Sequence, residues 1–223
     1  MKKSAFCHTR ALIFCMVWAA SASFAQSDEE LNPNIFYLDQ GHGVVPWELS
    51  LQFGQVLLEN KTGATVKNSL VAKPAKRDKD GDAVRLTWNK KKVLNEWGDQ
   101  NEAVSTLSLI NKEGFIDLAE IRDQAALVID LKVLERPNDH VTISLESNWD
   151  WKSRASIPLK NVLRKLPKKE WVSLPLPLQC FKGGDIDFTK LTSMMLLHTD
   201  GNLELEISGA RLAAFPPEQV TCN

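Results

Sequence analysis

The sequence predicts an all-β protein in which two antiparallel sheets pack face to face as a jelly-roll sandwich with one or two short helices. Two observations predict this class. Apolar and polar residues alternate in short segments, which is the pattern of a strand with one buried and one solvent-exposed face. Hardly any helical pattern separates these segments, which recur at intervals of roughly 10 to 15 residues and so favour an antiparallel sandwich over a βαβ fold.

The first strand of this kind covers Trp47 to Phe53, where apolar and polar residues alternate without a break. Pro175 and Pro177 cannot donate to a sheet ladder, so their strand is expected at a sheet edge or with a bulge. Only a turn-rich stretch separates segments 127–133 and 141–145, which predicts a hairpin. In all, the strands predicted after the first are 84–88, 107–109, 127–133, 141–145, 172–178 and 203–207.

Two short stretches predict helices. Residues 158–166 carry apolar side chains at 159, 162, 163 and 166, which is helical spacing, and Pro158 would occupy the first turn. Residues 117–124 are a second, shorter candidate.

The N-terminal residues have the features of a signal peptide. Lys2, Lys3 and Arg10 precede an apolar run over 11–20, and Ala25 comes directly before Gln26 with small residues at the positions that signal peptidase reads. A retained membrane anchor is the alternative, but the run is shorter than the roughly 20 residues that a span needs. We therefore expect a signal peptide over 1–25 and export to the periplasm or beyond.

After cleavage, the predicted organisation is a flexible polar arm over 26–45 and one sandwich domain over 46–223. Cleavage removes three cations and no carboxylate, so the formal charge changes from −1 to −4 (−1 − 3). A mildly acidic chain argues against nucleic acid or an anionic membrane as the partner, because both require a basic surface.

Two of the four cysteines, Cys180 and Cys222, lie outside the predicted signal peptide. In an exported chain, such a pair is most simply a disulfide. Two free thiols or a metal pair are the alternatives, although two cysteines without nearby histidines do not complete a tetrahedral zinc site.

Three stretches carry a family resemblance. They are Glu170 to Phe181 (EWVSLPLPLQCF), Gly183 to Phe188 (GGDIDF) and Gly201 to Leu212 (GNLELEISGARL), with Asp82 to Trp88 as the first matching strand. Together they resemble the galactose-binding-like C-terminal domain of ExoP-type bacterial exo-glucanases of glycoside hydrolase family 3. The likeness runs from about 81 to 212 and extends more distantly to jelly-roll carbohydrate-binding modules. It implies the sandwich fold and a saccharide-related setting.

The chain departs from this family in two respects. The family's module follows a large catalytic barrel, whereas here it follows a predicted signal peptide, so the resemblance does not carry hydrolase activity with it. In the family, the turn after the long hairpin often carries paired cysteines, and residues 147–151 (SNWDW) take their place here.

Trp149 and Trp151 are the main candidate ligand-binding residues. Residues at i and i+2 of an extended chain project to one side, and flat aromatic rings stack on sugar rings. Asn148 and Asp150 could bond sugar hydroxyls. The alternative is that both tryptophans cap the core. Trp97 is a third candidate, because it stands in a polar loop among Asn, Asp and Gln residues.

The sequence indicates no cofactor. The alternative is a structural calcium ion. The stretch Asp78 to Asp82 (DKDGD) could supply carboxylates to a hard cation, but the EF-hand spacing fails at Ala83. A solvated turn is the favoured interpretation, because Asp and Gly readily form turns.

The sequence offers no catalytic signature. His42, His140 and His198 stand in neither a nucleophile elbow nor a zinc-protease motif. We therefore expect a carbohydrate-binding-module-like protein without catalysis. The alternatives are a scaffolding partner of another exported protein and, less favoured, a glycoside hydrolase with two carboxyls in a cleft.

Overall fold

The computed structural model describes residues 31–92, 102–220 and 222. Its one α-helix within these residues is α1 (Lys160–Lys165), and the remaining helical pieces are single 3₁₀ turns. The strands, in chain order, are β1 (Phe36–Asp39), β2 (His42–Gly43), β3 (Trp47–Leu51), β4 (Val56–Leu57), β5 (Gly63–Ala64), β6 (Leu70–Lys76), β7 (Asp80–Trp88), β8 (Thr106–Asn111), β9 (Ala125–Glu135), β10 (Val141–Ser147), β11 (Arg154–Pro158), β12 (Trp171–Pro177), β13 (Leu191–Thr199) and β14 (Leu203–Ala214).

The strands form two antiparallel sheets, which confirms the predicted sandwich. One sheet has eight strands in the order β12-β9-β14-β7-β6-β5, with β1 paired to β14 and β2 paired to β1. The other has six strands in the order β11-β10-β13-β8-β3-β4. The buried apolar residues of both sheets form one core cluster between them.

The predicted hairpin over 127–133 and 141–145 is wrong. β9 pairs with β12 and β14 in the eight-stranded sheet, whereas β10 pairs with β11 and β13 in the six-stranded sheet. The connection between β9 and β10 therefore crosses from one sheet to the other. Alternation within each strand fixes which face is buried, but it does not fix which strand is the neighbour.

The strands that were not predicted include the inner strands β6 and β13 and the edge strand β11. β13 shows why, because eight of its nine residues are buried and the strand carries a register shift between Ser193 and Met195. A central strand covered on both faces loses the polar half of its alternation. β3 is also shorter than predicted, since it ends at Leu51 and leaves Phe53 in a turn.

One predicted helix is confirmed and the other is wrong. The stretch 158–166 contains α1, although Pro158 ends β11 and does not open the helix. The stretch 117–124 holds only a 3₁₀ turn at its end, Arg122–Gln124.

The proposed arm over 26–45 does not extend to residue 45. β1 pairs with β14, and Tyr37 and Leu38 on it are buried in the core. The Tyr37 ring meets Trp47 edge to face at 4.9 Å between centroids. Burial of these apolar side chains places residues 31–45 in the sandwich domain, which begins at Leu31. The predicted signal peptide, 1–25, lies outside the described residues.

Two further expectations are confirmed. β12, which carries Pro175 and Pro177, pairs only with β9 and forms an edge of the eight-stranded sheet. Cys180 and Cys222 form a disulfide that joins the C-terminal end to the body of the domain. Closing a loop of this length stabilises the fold by about 4 kcal/mol in the chain-entropy model. No helix in the described part of the chain is long and apolar enough to cross a membrane.

Candidate functional site

Trp149 and Trp151 lie on the surface, in the connection between β10 and β11. Their exposed fractions are 53% and 68%. The chain is not extended there, contrary to the assumption behind the prediction. Asn148 and Trp149 both have positive φ, at 57° and 51°, and a 3₁₀ turn begins at Trp151. The two rings are therefore displayed by a tight turn and not by a strand.

Hydrogen bonds hold Trp149 across the end of the six-stranded sheet. Its backbone N–H donates to Thr192 Oγ1 of β13 at 3.0 Å, and its indole Nε1 donates to the carbonyl of Asn111 on β8 at 3.1 Å. The indole edge is thus fixed while half of the side chain stays exposed. Such a ring loses little further rotational freedom when it binds a ligand.

Polar side chains surround the two indoles. Asn148 and Asp150 are exposed, as the predicted site requires. One Asp150 carboxylate oxygen accepts a hydrogen bond from the Lys152 backbone N–H at 3.0 Å and caps the 3₁₀ turn. The Lys152 ammonium lies 5.7 Å from the Trp151 ring centroid. These groups provide donors and acceptors beside apolar rings, the combination typical of ligand sites.

A third aromatic ring, Phe115, is 55% exposed. It follows the end of β8, where Asn111 accepts the hydrogen bond from the Trp149 indole. The Asn111 side chain accepts hydrogen bonds from the N–H groups of Glu113 and Gly114, which shapes the turn that leads to Phe115. Asn111 therefore bonds both the Trp149 indole and the turn before Phe115. We call Phe115, Trp149 and Trp151 the aromatic end of the six-stranded sheet. No local pattern in the sequence connects Phe115 with the two tryptophans.

The outer face of the six-stranded sheet, away from the core, carries a row of mostly small residues. Ladder partners share a face, so the register traces this row directly. We call it the serine row: Ser50, Ser108, Leu196, Ser144 and Ser156. Ser50 and Ser108 are fully buried although they face outward. Sequence reasoning missed the row because it depends on pairing between strands distant in the chain.

Charged groups border the serine row. Arg154 Nε donates to Glu146 Oε2 at 2.6 Å, and its Nη1 lies 3.5 Å from Glu102 Oε1. The guanidinium of the same arginine lies 4.4 Å from the Phe53 ring centroid. None of these four residues was predicted from the sequence to belong to a site.

The outer face of the eight-stranded sheet differs in character. Trp171, the first residue of β12, lies on this face as the ladder partner of Lys132. Lys132 and Arg77 lie over its ring at 4.9 and 5.4 Å. The buried carboxylates of Glu206 and Asp130 pair with the surrounding cations. The Trp171 ring is therefore already in contact with two cationic side chains of the protein itself.

Asp78 to Asp82 cover the end of the turn after β6 and the first residues of β7. The Asp82 carboxylate accepts hydrogen bonds from the N–H groups of Arg77, Asp78 and Lys79 at 2.6 to 2.8 Å. Burial alone would raise the pKa of Asp82, but these bonds lower it to about 2. The carboxylate thus closes the turn. In the described ranges, no group of three His, Cys, Asp or Glu side chains is arranged to hold a metal ion.

His198 joins a polar array that sequence inspection did not detect. Its Nδ1 lies 2.7 Å from Ser105 Oγ, and its Nε2 lies 3.0 Å from Asp200 Oδ1. Ser105 is completely buried, so a substrate carbonyl has no approach to its hydroxyl. The array therefore connects the turn before β8 to β13 and does not form a nucleophile site. Trp97, the third predicted tryptophan, lies outside the described residues.

The family comparison agrees with this architecture. Residues 45–212 match the Exop_C family model, described as galactose-binding domain-like. The match covers most of the chain, so the chain belongs to this family. A search of curated proteins finds no match.

Several solved structures share this fold. The extra C-terminal domain of the exo-1,3/1,4-beta-glucanase ExoP from a Pseudoalteromonas species is similar with TM-score 0.58 and 16% identity, over 84% of this chain and 96% of that one. Against the ExoP exo-glucanase chain, the likeness covers 86% of this chain but only 22% of the enzyme, at TM-score 0.58 and 17% identity. A family 30 carbohydrate-binding module matches at TM-score 0.53 and 12% identity, over 84% and 90% of the chains.

Proposed function

We propose that this protein is a non-catalytic saccharide-binding module that uses Trp149 and Trp151 as platforms for sugar rings. The observation that carries the proposal is the exposure of both indoles at one end of a rigid sheet. A buried pair would have favoured a scaffolding role. The negative face of an indole ring attracts the C–H groups of a sugar ring that stacks on it.

The neighbouring polar groups support the same proposal. Asn148, Asp150 and Lys152 can exchange hydrogen bonds with ring hydroxyls while the indoles provide apolar area. The relatives described above include a carbohydrate-binding module and a domain of a β-glucanase, which makes a β-glucan the first polymer to test.

We also propose that the chain is exported after cleavage between Ala25 and Gln26. Expression of the full chain in a bacterial host, followed by mass measurement of the fractionated protein, tests this directly. A secreted or periplasmic species that begins at Gln26 is expected. An uncleaved cytoplasmic chain would contradict the proposal.

Affinity electrophoresis on gels containing mixed-linkage β-glucan, galactan or alginate tests saccharide binding. The wild-type chain should be retarded by at least one polymer. The double variant Trp149→Ala, Trp151→Ala should lose at least about tenfold in affinity, the factor that corresponds to about 1.4 kcal/mol. Trp171→Ala is the matched control, because cations occupy that ring, and it should migrate like wild type. Wild-type mobility of the double variant on every retarding gel would remove the platform assignment.

A further inference from the structure

The turn after β3 folds back over the outer face of the six-stranded sheet. Gln52, Phe53 and Gly54 all have positive φ, at 53°, 53° and 88°. A side chain added at Gly54 would approach Lys112 Nζ and lie 4.0 Å from Ser50 Oγ. The turn therefore lies over the beginning of the serine row. Two successive non-glycine residues in this conformation store backbone strain of about 1 kcal/mol or more each.

The floor beneath this turn contains polar groups without partners. Among the residues that the structure describes, Ser50 Oγ and Ser108 Oγ are buried and make no hydrogen bond. They are ladder partners on the same face. A buried hydroxyl without a partner costs free energy, and each of these can both donate and accept. Adjacent hydroxyls of this kind fit a ligand that is itself rich in hydroxyl groups.

Phe53 reaches a residue from the far side of the sheet. It follows β3, whereas Arg154 begins β11, and β8, β13 and β10 lie between these strands. Four steps of about 4.8 Å would separate the two strands by about 19 Å in a flat sheet. The guanidinium nevertheless lies 4.4 Å from the ring centroid. Twist lifts diagonally opposite corners of a sheet towards each other, so the pair spans the face.

We propose that Phe53 and Arg154 form a gate over a saccharide cleft whose floor is the serine row. This inference rests on the proposed saccharide-binding function and adds regulation to it. In the closed state, the ring covers the floor and Arg154 is held by Glu146 and Glu102. Opening releases the strained turn, exposes the hydroxyls of Ser50 and Ser108, and connects the floor to the aromatic end. A saccharide segment then replaces the Phe53 ring.

Thiol labelling tests the gate without a ligand. In the full chain with Cys7→Ser and Cys15→Ser, Ser108→Cys introduces one free thiol on the floor, since Cys180 and Cys222 are paired. Its reaction with a water-soluble disulfide reagent should be about tenfold faster when Phe53→Ala is added, because the cover is lost. Trp171→Ala, which removes an aromatic ring from the outer face of the other sheet, is the matched control and should leave the rate unchanged. Ser50→Cys provides the same measurement if Ser108→Cys does not fold.

Equal labelling rates with Phe53→Ala and Trp171→Ala would overturn the gate. Where Phe53→Ala does accelerate labelling, mixed-linkage β-glucan should slow it again. Acceleration with no protection by a polymer that retards the wild-type chain would overturn the cleft, while saccharide binding at the aromatic end would stand. Absence of retardation by every polymer tested overturns the proposed function, whereas the labelling ratio reports on Phe53 alone. The two failures are therefore distinguishable.

Discussion

The two outer faces of the sandwich use polar residues in opposite ways. On the eight-stranded sheet, the cross-strand row includes Trp171, Lys132, Glu206 and Arg85. There the Glu206 carboxylate, 1% exposed, meets Arg85 at 2.6 Å and Lys132 on its other oxygen. On the six-stranded sheet, the corresponding row is made mostly of small hydroxyls, two of them without partners among the described residues.

On the first face both buried carboxylate oxygens of Glu206 form ion pairs, whereas on the second face two buried hydroxyls have no partner among the described residues. The charges of the first face are neutralised by each other, and its aromatic ring is occupied by cations. The second face has unmatched hydrogen-bonding groups at Ser50 and Ser108, next to the turn that carries Phe53. Paired polar networks stabilise a fold, whereas unpaired ones at a surface are typical of function.

The largest effect is expected on the eight-stranded sheet. Glu206→Ala should lower the free energy of unfolding by about 3 kcal/mol, because it leaves Arg85 and Lys132 beside a partly buried gap. Chemical denaturation measures this change. Glu206→Gln, of the same shape, should lose less, since the amide still accepts a hydrogen bond from Arg85. A loss below 0.5 kcal/mol for Glu206→Ala (roughly the range of ordinary surface changes) would mean that the network is not needed for stability.

The six-stranded sheet should respond in the opposite direction. Ser108→Ala removes a buried hydroxyl that has no partner in the described part of the chain, so the free energy of unfolding should stay equal or rise by up to about 1 kcal/mol. The same denaturation experiment gives the sign. A loss of more than about 1 kcal/mol would show that the hydroxyl has a stabilising partner. Saccharide affinity should nevertheless fall in this variant if the serine row is the floor of the cleft.

The smallest effect concerns pH at the β6–β7 turn of the eight-stranded sheet. The folded-state pKa of Asp82 is about 2, below its ordinary value of 3.8. Its contribution to stability is therefore complete above about pH 4 and is lost as the pH falls towards 2. Asp82→Asn should be less stable at neutral pH and should lose less stability on acidification. Denaturation midpoints at pH 7 and pH 3 compare the two proteins, and parallel losses would contradict the assignment.

Sequence alone determined the fold class, the family likeness and several elements. Alternation at Val84–Trp88 and 203–207 identified strands because each has one face in the core, and the prolines of β12 identified an edge because they lack N–H groups. The exposure of Trp149 and Trp151 was also predicted from the sequence, but the extended chain that was expected to direct both rings to one side is a turn. A local sequence pattern is sufficient to predict a structural element when the properties that determine the element lie within that segment.

Tertiary structure alone decided the pairing of strands and the composition of the outer faces. β9 and β10 are adjacent in the chain but lie in different sheets, and no local pattern distinguishes that arrangement from a hairpin. Ser50 and Ser108 are 58 positions apart (108 − 50) and become neighbours only through β3–β8 pairing. The Phe53–Arg154 contact depends on the twist of a six-stranded sheet. Such properties arise from long-range register and curvature, which the order of residues in one segment does not encode.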